Sequence, residues 1–225
     1  MMTSVMNTVS FVPANGRRQN TILACDLTEA RVLWLKFLDE CLGVTPELEI
    51  TAPRLSVVPN KPIRPIVVPE DCRTNEIYKL LGEMIPVDSF TKDLSGIIMS
   101  RRHPYPSTYI TWVSSGFDPD HDLVGKSFDE IDGIQPKVIG ETLLEHLIMQ
   151  AFDIWVQRQR NKPKLTLHNV CRITFCTGSI TDDGRILTVA NCNGKVAIRR
   201  ARKDYKHPRL APRRVFFDEY RIARQ

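Results

Sequence analysis

Apolar positions recur along this chain with two periods, and the switches between them mark its elements. Between Asp26 and Leu42, residues Ala30, Leu33, Trp34, Phe37, Leu38 and Cys41 return every three or four positions, one apolar stripe of a helix. Asp26 and Glu29 make a capping box at its start, and Gly43 stops it. The spacing of Ile77, Leu80, Leu81 and Met84 predicts a second helix over 74–84, ended by Pro86. Ser127 and Glu130 cap a short third one. The longest helical pattern opens near Pro136 and runs to Arg160. There Leu143, Leu144, Leu147, Ile148, Ala151, Phe152, Ile154 and Trp155 fill about half the circumference, so this helix is expected between a sheet and a second element. His146, Gln150, Asp153 and Gln157 take the other side, which places His146 in solvent.

The period drops to two in the β-rich stretch from Leu165 to Lys203. Asp182-Asp183-Gly184 and Asn193-Gly194 are hairpin turns, and they predict a three-stranded antiparallel meander. A two-residue loop at Asn193-Gly194 pairs Cys192 with Lys195, Asn191 with Val196, Val189 with Ile198 and Leu187 with Arg200. With a three-residue loop at 182–184, Ile173, Phe175 and Thr177 join Leu187, Val189, Val196 and Ile198 on the core face. Arg172, Thr174, Cys176, Thr188, Ala190, Cys192, Lys195, Ala197 and Arg199 then share the other face, too small and basic to form a core. Residues 96–99 and 109–113 have the composition of short buried strands. From Pro46 to Pro69 six prolines interrupt β-formers, which confines this arm to edge strands or extended connections. Pro62-Ile63-Arg64-Pro65 matches a PxxP ligand formally, while its apolar flanks favour packing.

These elements predict an α+β protein. An antiparallel or mixed sheet, with the C-terminal three-stranded meander, packs on one long helix, and an N-terminal helix and proline-rich arm precede it. Residues 1–70 form the helix and arm, and 71–225 the main domain with a basic tail.

Composition narrows the setting. No apolar run reaches the roughly 20 residues of a membrane span, and no basic stretch precedes an apolar core at the N-terminus, so a secretory signal is not expected. Six scattered cysteines without a CxxC pair fit free thiols in a reducing cytoplasm. Net charge is +5, but it is unevenly placed. Residues 1–156 hold 14 Lys and Arg against 21 Asp and Glu, a balance of −7, whereas 157–225 hold 17 against 5, a balance of +12. Such asymmetry points to a polyanionic partner, or to the basic third docking on the chain's own acidic part.

Candidate chemistry is sparse. His168, Cys171, Cys176 and Cys192 have the types of a zinc set, but Cys171 and Cys176 are five apart on one strand and face opposite ways. Cys176 and Cys192 share the outer face diagonally, just beyond disulfide reach. Asp118, Asp120 and Asp122 resemble the start of a calcium loop, yet Leu123 stands where its glycine belongs, and ordinary Asx-turns around Pro119 explain them better. No G-x-S-x-G, P-loop, dinucleotide fingerprint or H-E-x-x-H occurs. An enzyme site would have to be assembled in space from His103, Tyr105, Asp120, His121 or Cys176.

The sequence therefore implies a non-enzymatic intracellular binding protein without a cofactor or metal. Its expected contact surface for nucleic acid or another polyanion is Arg172, Lys195, Arg199, Arg200, Arg202, Lys203, Lys206, Arg209, Arg213 and Arg214, with Tyr205, Phe216, Phe217 and Tyr220 interleaved. The alternatives are a protein-interaction or homo-oligomeric assembly module using the same basic face on an acidic surface, and a small-molecule enzyme with a loop-built site.

Overall fold

The computed structural model describes residues 7–11, 19–55, 59, 61–95, 98–100, 107–134, 138–162, 165–169 and 172–217. In chain order they form β1 (Asn7–Phe11), β2 (Gln19–Leu23), α1 (Leu27–Phe37), β3 (Ile63–Val68), α2 (Thr74–Met84), β4 (Val87–Ser89), β5 (Ile98–Ser100) and β6 (Tyr109–Ser114). There follow α3 (Phe128–Asp132), α4 (Leu143–Gln159), β7 (Ile173–Thr181), β8 (Ile186–Cys192), β9 (Lys195–Ala201), β10 (Leu210–Pro212) and β11 (Val215–Phe216). The fold is α+β, with two sheets where the pattern suggested one. The chain divides into two compact units, one drawn from 1–70, 107–115 and 215–225, the other from 71–106 and 116–214. Among the described residues, no helix is long and apolar enough to cross a membrane.

In the first unit, the Asp26 side chain accepts the Glu29 N–H at 2.9 Å and caps α1. The apolar stripe buries Trp34 and Phe37, whose rings meet edge-on at 5.7 Å. The sheet runs β1-β2-β3-β6-β11. Its β3 is cut from the proline-rich arm, yet it pairs with β6 along its full length, from Ile63 opposite Ser114 to Val68 opposite Tyr109. On its other side β2 reaches it only at Leu23 opposite Ile63. Among the described residues no strand pairs with Pro65 on the β2 side, the setting that tolerates a missing N–H. Beyond Ile63 this strand thus keeps the open side that its prolines require, while Ile63, Ile66 and Val67 are fully buried.

The second unit holds the sheet β10-β7-β8-β9-β4, with β5 also on β7. Asn193 (φ 54°) and Gly194 (φ 75°) make the tight turn of the β8–β9 hairpin. Its register carries Cys192 opposite Lys195, Val189 opposite Ile198 and Leu187 opposite Arg200. The β7–β8 hairpin begins as the three-residue loop requires, with Ile180 opposite Ile186. It then breaks register, and Cys176 comes opposite Leu187. Residues 177–179 bulge out of the ladder, an odd number, so the rest of β7 exchanges its faces. Thr174 and Cys176 therefore lie beside Val189 and Leu187 on the inner face. Phe175 lies opposite Thr188 on the outer one, packed with Ile186, Leu210 and with Phe128 and Ile131 of α3. The expected faces of β7 are thereby reversed, and Cys176 and Cys192 point to opposite sides of the sheet.

The bulge exists because another backbone crosses it. Gly178 donates its N–H to the Glu141 carbonyl at 3.0 Å, and a Cβ at Gly178 would stand 2.7 Å from the Gly140 carbonyl oxygen. Gly140 and Glu141 are free to lie there because α4 starts at Leu143, not near Pro136. Thr142 caps it by accepting the Glu145 N–H at 3.2 Å, while Glu145 Oε2 accepts the Thr142 N–H at 2.7 Å. Packed against α2 and β7, α4 is enclosed on its polar side too. His146 and Glu145 are fully buried and Gln150 nearly so, so His146 is not in solvent.

Candidate functional site

Two places in the second unit gather polar chemistry. The first is interior, where α4 meets the inner face of β7. Asn169, at a positive φ of 62°, places its Nδ2 3.0 Å from the Val189 carbonyl and 3.2 Å from His146 Nε2. Its Oδ1 takes the Thr174 hydroxyl at 2.6 Å. A carbonyl only accepts, so the amide nitrogen must face Val189, and the same NH2 donates to His146 Nε2. The ring proton of His146 is thereby fixed on Nδ1, 2.7 Å from Glu141 Oε1. Behind Glu141, the buried Arg213 guanidinium sits 3.8 Å away and donates to the carbonyls of Gly116 (2.7 Å) and Phe117 (3.0 Å). His168 Nε2 meets Asp153 Oδ2 at 2.5 Å, and its Nδ1 donates to the Phe117 carbonyl at 3.2 Å.

Glu141, His146 and Cys176 bring three buried donor atoms within 4.8 Å of one another, types that suit zinc. Coordination needs an imidazole lone pair, and none is available. Nε2 uses its pair on Asn169, Nδ1 carries the proton, and Arg213 already supplies positive charge beside Glu141. A thiol nucleophile is equally unprepared. Burial pushes the Cys176 thiol far up, with Glu141 and Glu145 adding to it, and neither nitrogen of His146 is open to take its proton. The cluster is wired as a hydrogen-bonded clamp that joins α4, β7, β8 and the 116–117 loop.

The second place is the outer face of β8 and β9. The alternation that turns Val189, Val196 and Ile198 inward turns Thr188, Ala190, Ala197 and Ala201 outward. With Ile173 they floor a groove of about 900 Å³, rimmed by Arg185, Arg199, Arg200, Arg202 and Lys206, with Tyr205 and, as the one acid among the described residues, Asp204 also lining it. The rim cations are held by exposed carboxylates. Arg199 pairs with Asp88. Arg200 pairs with Asp183 at 3.1 Å while its guanidinium lies 4.7 Å over the Phe90 ring. Arg202 grips Asp204 through two bonds of 3.1 and 2.9 Å, and Lys206 meets Glu130 at 2.6 Å. The Lys206 bond, helped by the Ser127 N–H, holds the Glu130 carboxyl down at about 2. Exposed pairs of this kind are weakly held, so an incoming anion displaces them easily.

The other expected contact residues are scattered around this groove or away from it. Lys195 is exposed at the start of β9 and Arg172 half-buried at the start of β7. The Lys203 ammonium lies 5.9 Å over Phe128, and Arg209 is exposed. Arg214 is turned aside onto Asp122, through bonds of 3.0 and 2.7 Å, and its N–H meets Asp120 at 2.7 Å. An arginine thus takes the place that the acidic run offered to a cation. Arg213, fully buried, serves the interior clamp. The zinc set does not converge, for His168 and Cys176 are interior while Cys192 is exposed in the groove. Cys171, His103, Tyr105 and Tyr220 lie outside the described residues. Glu141, Asn169 and Thr174 were not singled out from sequence. The Thr142-x-x-Glu145 capping box and the mid-strand Gly178 are the sequence signals that mark this neighbourhood.

Comparison of the chain with family models, curated proteins and solved structures found no match.

Proposed function

We propose that this protein binds nucleic acid or a similar polyanion in the groove on the outer face of β8 and β9. One observation carries the reading, namely that five cationic side chains and one acid line this concave surface among the described residues. Charge on a recessed surface focuses the field and attracts phosphate. Surface carboxylates that tie these cations are weak competitors, because they give way to a ligand presenting several phosphates at once. The interior cluster does not compete as a site, since its proton positions are fixed and its thiol is held protonated. Cys25, Cys72, Cys176 and Cys192 are free thiols, and we place the protein in the reducing cytoplasm on that ground.

Binding of heparin and of mixed-sequence DNA and RNA, followed by fluorescence anisotropy across salt, tests the proposal. Affinity should fall steeply from 20 to 200 mM salt, and Arg199→Ala/Arg202→Ala should flatten the slope by about two charges' worth. The absence of binding at the lowest salt sinks it.

A further inference from the structure

Resting on that reading, we infer that the groove takes single-stranded nucleic acid in preference to duplex, with a base against Tyr205. The argument begins with shape. Readers of duplex push a convex helix or ribbon into the major groove, whereas here the cations rim a depression. What enters a depression is a narrow strand with its bases unpaired.

The floor suits such a strand. Ala190 and Ala197 face each other across β8 and β9, with Thr188 (opposite Arg199) and Ala201 (opposite Ile186) beside them as small side chains of the same face. A flat heterocycle meets a flat, largely apolar surface there. Aromatic groups stand at the edge. Tyr205 is 44% exposed, and the His207 ring lies offset beside it, with centroids 6.4 Å apart and planes 19° from parallel. An exposed ring at the groove's edge offers a base a stacking partner. Arg199 and Arg202, long and forked, stand within reach of the backbone of a strand lying on that floor.

Charge agrees with a strand rather than a duplex. Asp88, Asp183, Asp204 and Glu130 interleave with the cations, so the net positive charge is modest. Long-range attraction to the dense charge of a duplex is correspondingly limited, and short-range stacking decides the choice. Stacking is also indifferent to base identity, because every base has a π-face, so weak sequence preference is expected.

The test compares a fluorescein-labelled dT12, an rU12 and a 12-base-pair duplex at equal ionic strength, with the full chain and its Tyr205→Ala and Tyr205→Phe variants. Single strands should bind at least tenfold tighter than the duplex. Tyr205→Ala should weaken single-strand binding by about fivefold or more, while Tyr205→Phe retains it. Far-ultraviolet circular dichroism confirms that the variants are folded. Equal binding of strand and duplex, both weakened by Arg199→Ala/Arg202→Ala, overturns the single-strand inference and leaves the polyanion reading in place. Indifference to Tyr205→Ala overturns the stacking role. No binding of any probe, heparin included, removes the groove reading itself.

Discussion

Gly178 and Glu141 meet backbone to backbone, the N–H of one 3.0 Å from the carbonyl of the other, 37 positions apart in the chain. The contact leaves no room for a side chain, since a Cβ on Gly178 would lie 2.7 Å from the Gly140 oxygen and 3.0 Å from the Glu141 carbonyl. Rigid backbone on both sides prevents relief by rotamer change. Gly178→Ala should therefore destabilise the second unit by about 1–3 kcal/mol, read as a lower denaturation midpoint in urea. An unchanged midpoint would show that the crossing is looser than this geometry.

Arg213 and Glu141 form a buried pair whose members depend on each other. Arg213→Met should cost about 3–5 kcal/mol, because it strands a buried carboxylate. Adding Glu141→Gln should recover part of that loss, although it weakens the bond from His146 Nδ1. The double-mutant cycle measures the coupling. Strictly additive losses would contradict it.

The groove's own acid should act against its ligand. Asp204 holds Arg202 through two bonds, so Asp204→Asn should release the guanidinium and tighten polyanion binding severalfold at low salt. Weaker binding of this variant in the anisotropy assay would refute the exchange of carboxylate for phosphate.

Glu130 reports on Lys206. Its carboxyl is held at about 2, against an ordinary 4.5, by the Lys206 ammonium first and the Ser127 N–H second. A depressed folded value means that this bond's contribution is complete above about 4.5 and is lost as pH falls through about 2. In Lys206→Met, an NMR titration should show the Glu130 carboxyl rising toward 4.5. A saturating polyanion that draws Lys206 away should raise it in the intact protein as well.

Thiol chemistry separates the cysteines. Burial raises Cys25 to about 11 and Cys72 to about 12, and it holds Cys176 well above the ordinary thiol value. The exposed Cys192 should react with maleimide well before these three at pH 7.5, as peptide mass spectrometry would show. Because Cys192 lines the groove, a bulky label there should weaken oligonucleotide binding, while Cys192→Ala should not.

Local chemistry made part of this fold legible. Asn193-Gly194 set the β8–β9 register, and Asp26 set the start of α1, because each signal lies within four residues of what it decides. The faces of β7 were not legible in the same way, since the bulge is caused by Glu141, far off in sequence. The hint was Gly178 in mid-strand, which a period-two pattern reads as an ordinary position. His146 looked solvated by its place on a polar helix face. Its burial depends on Asn169, Thr174 and Arg213, which no helical periodicity brings together. Charge drew attention to Arg199, Arg200, Arg202 and Lys206 but not to Arg185, which lines the same groove, and it gave no sign that Asp88 and Glu130 would come from distant segments to hold Arg199 and Lys206.

The three extra residues at 177–179 give β7 two parities along its length. Everything before them obeys one inward–outward count and everything after obeys the other. Loss of a single residue there would leave an even offset and rotate the front half of the strand by one face. Phe175 would swing under α4 and Cys176 would enter the outer core, with neither of them substituted. Substitutions along β7 are thus answerable to packing alone, but a change in its length is answerable to arithmetic. One-residue deletions at 177–179 should be far more damaging than conservative replacements at the same positions.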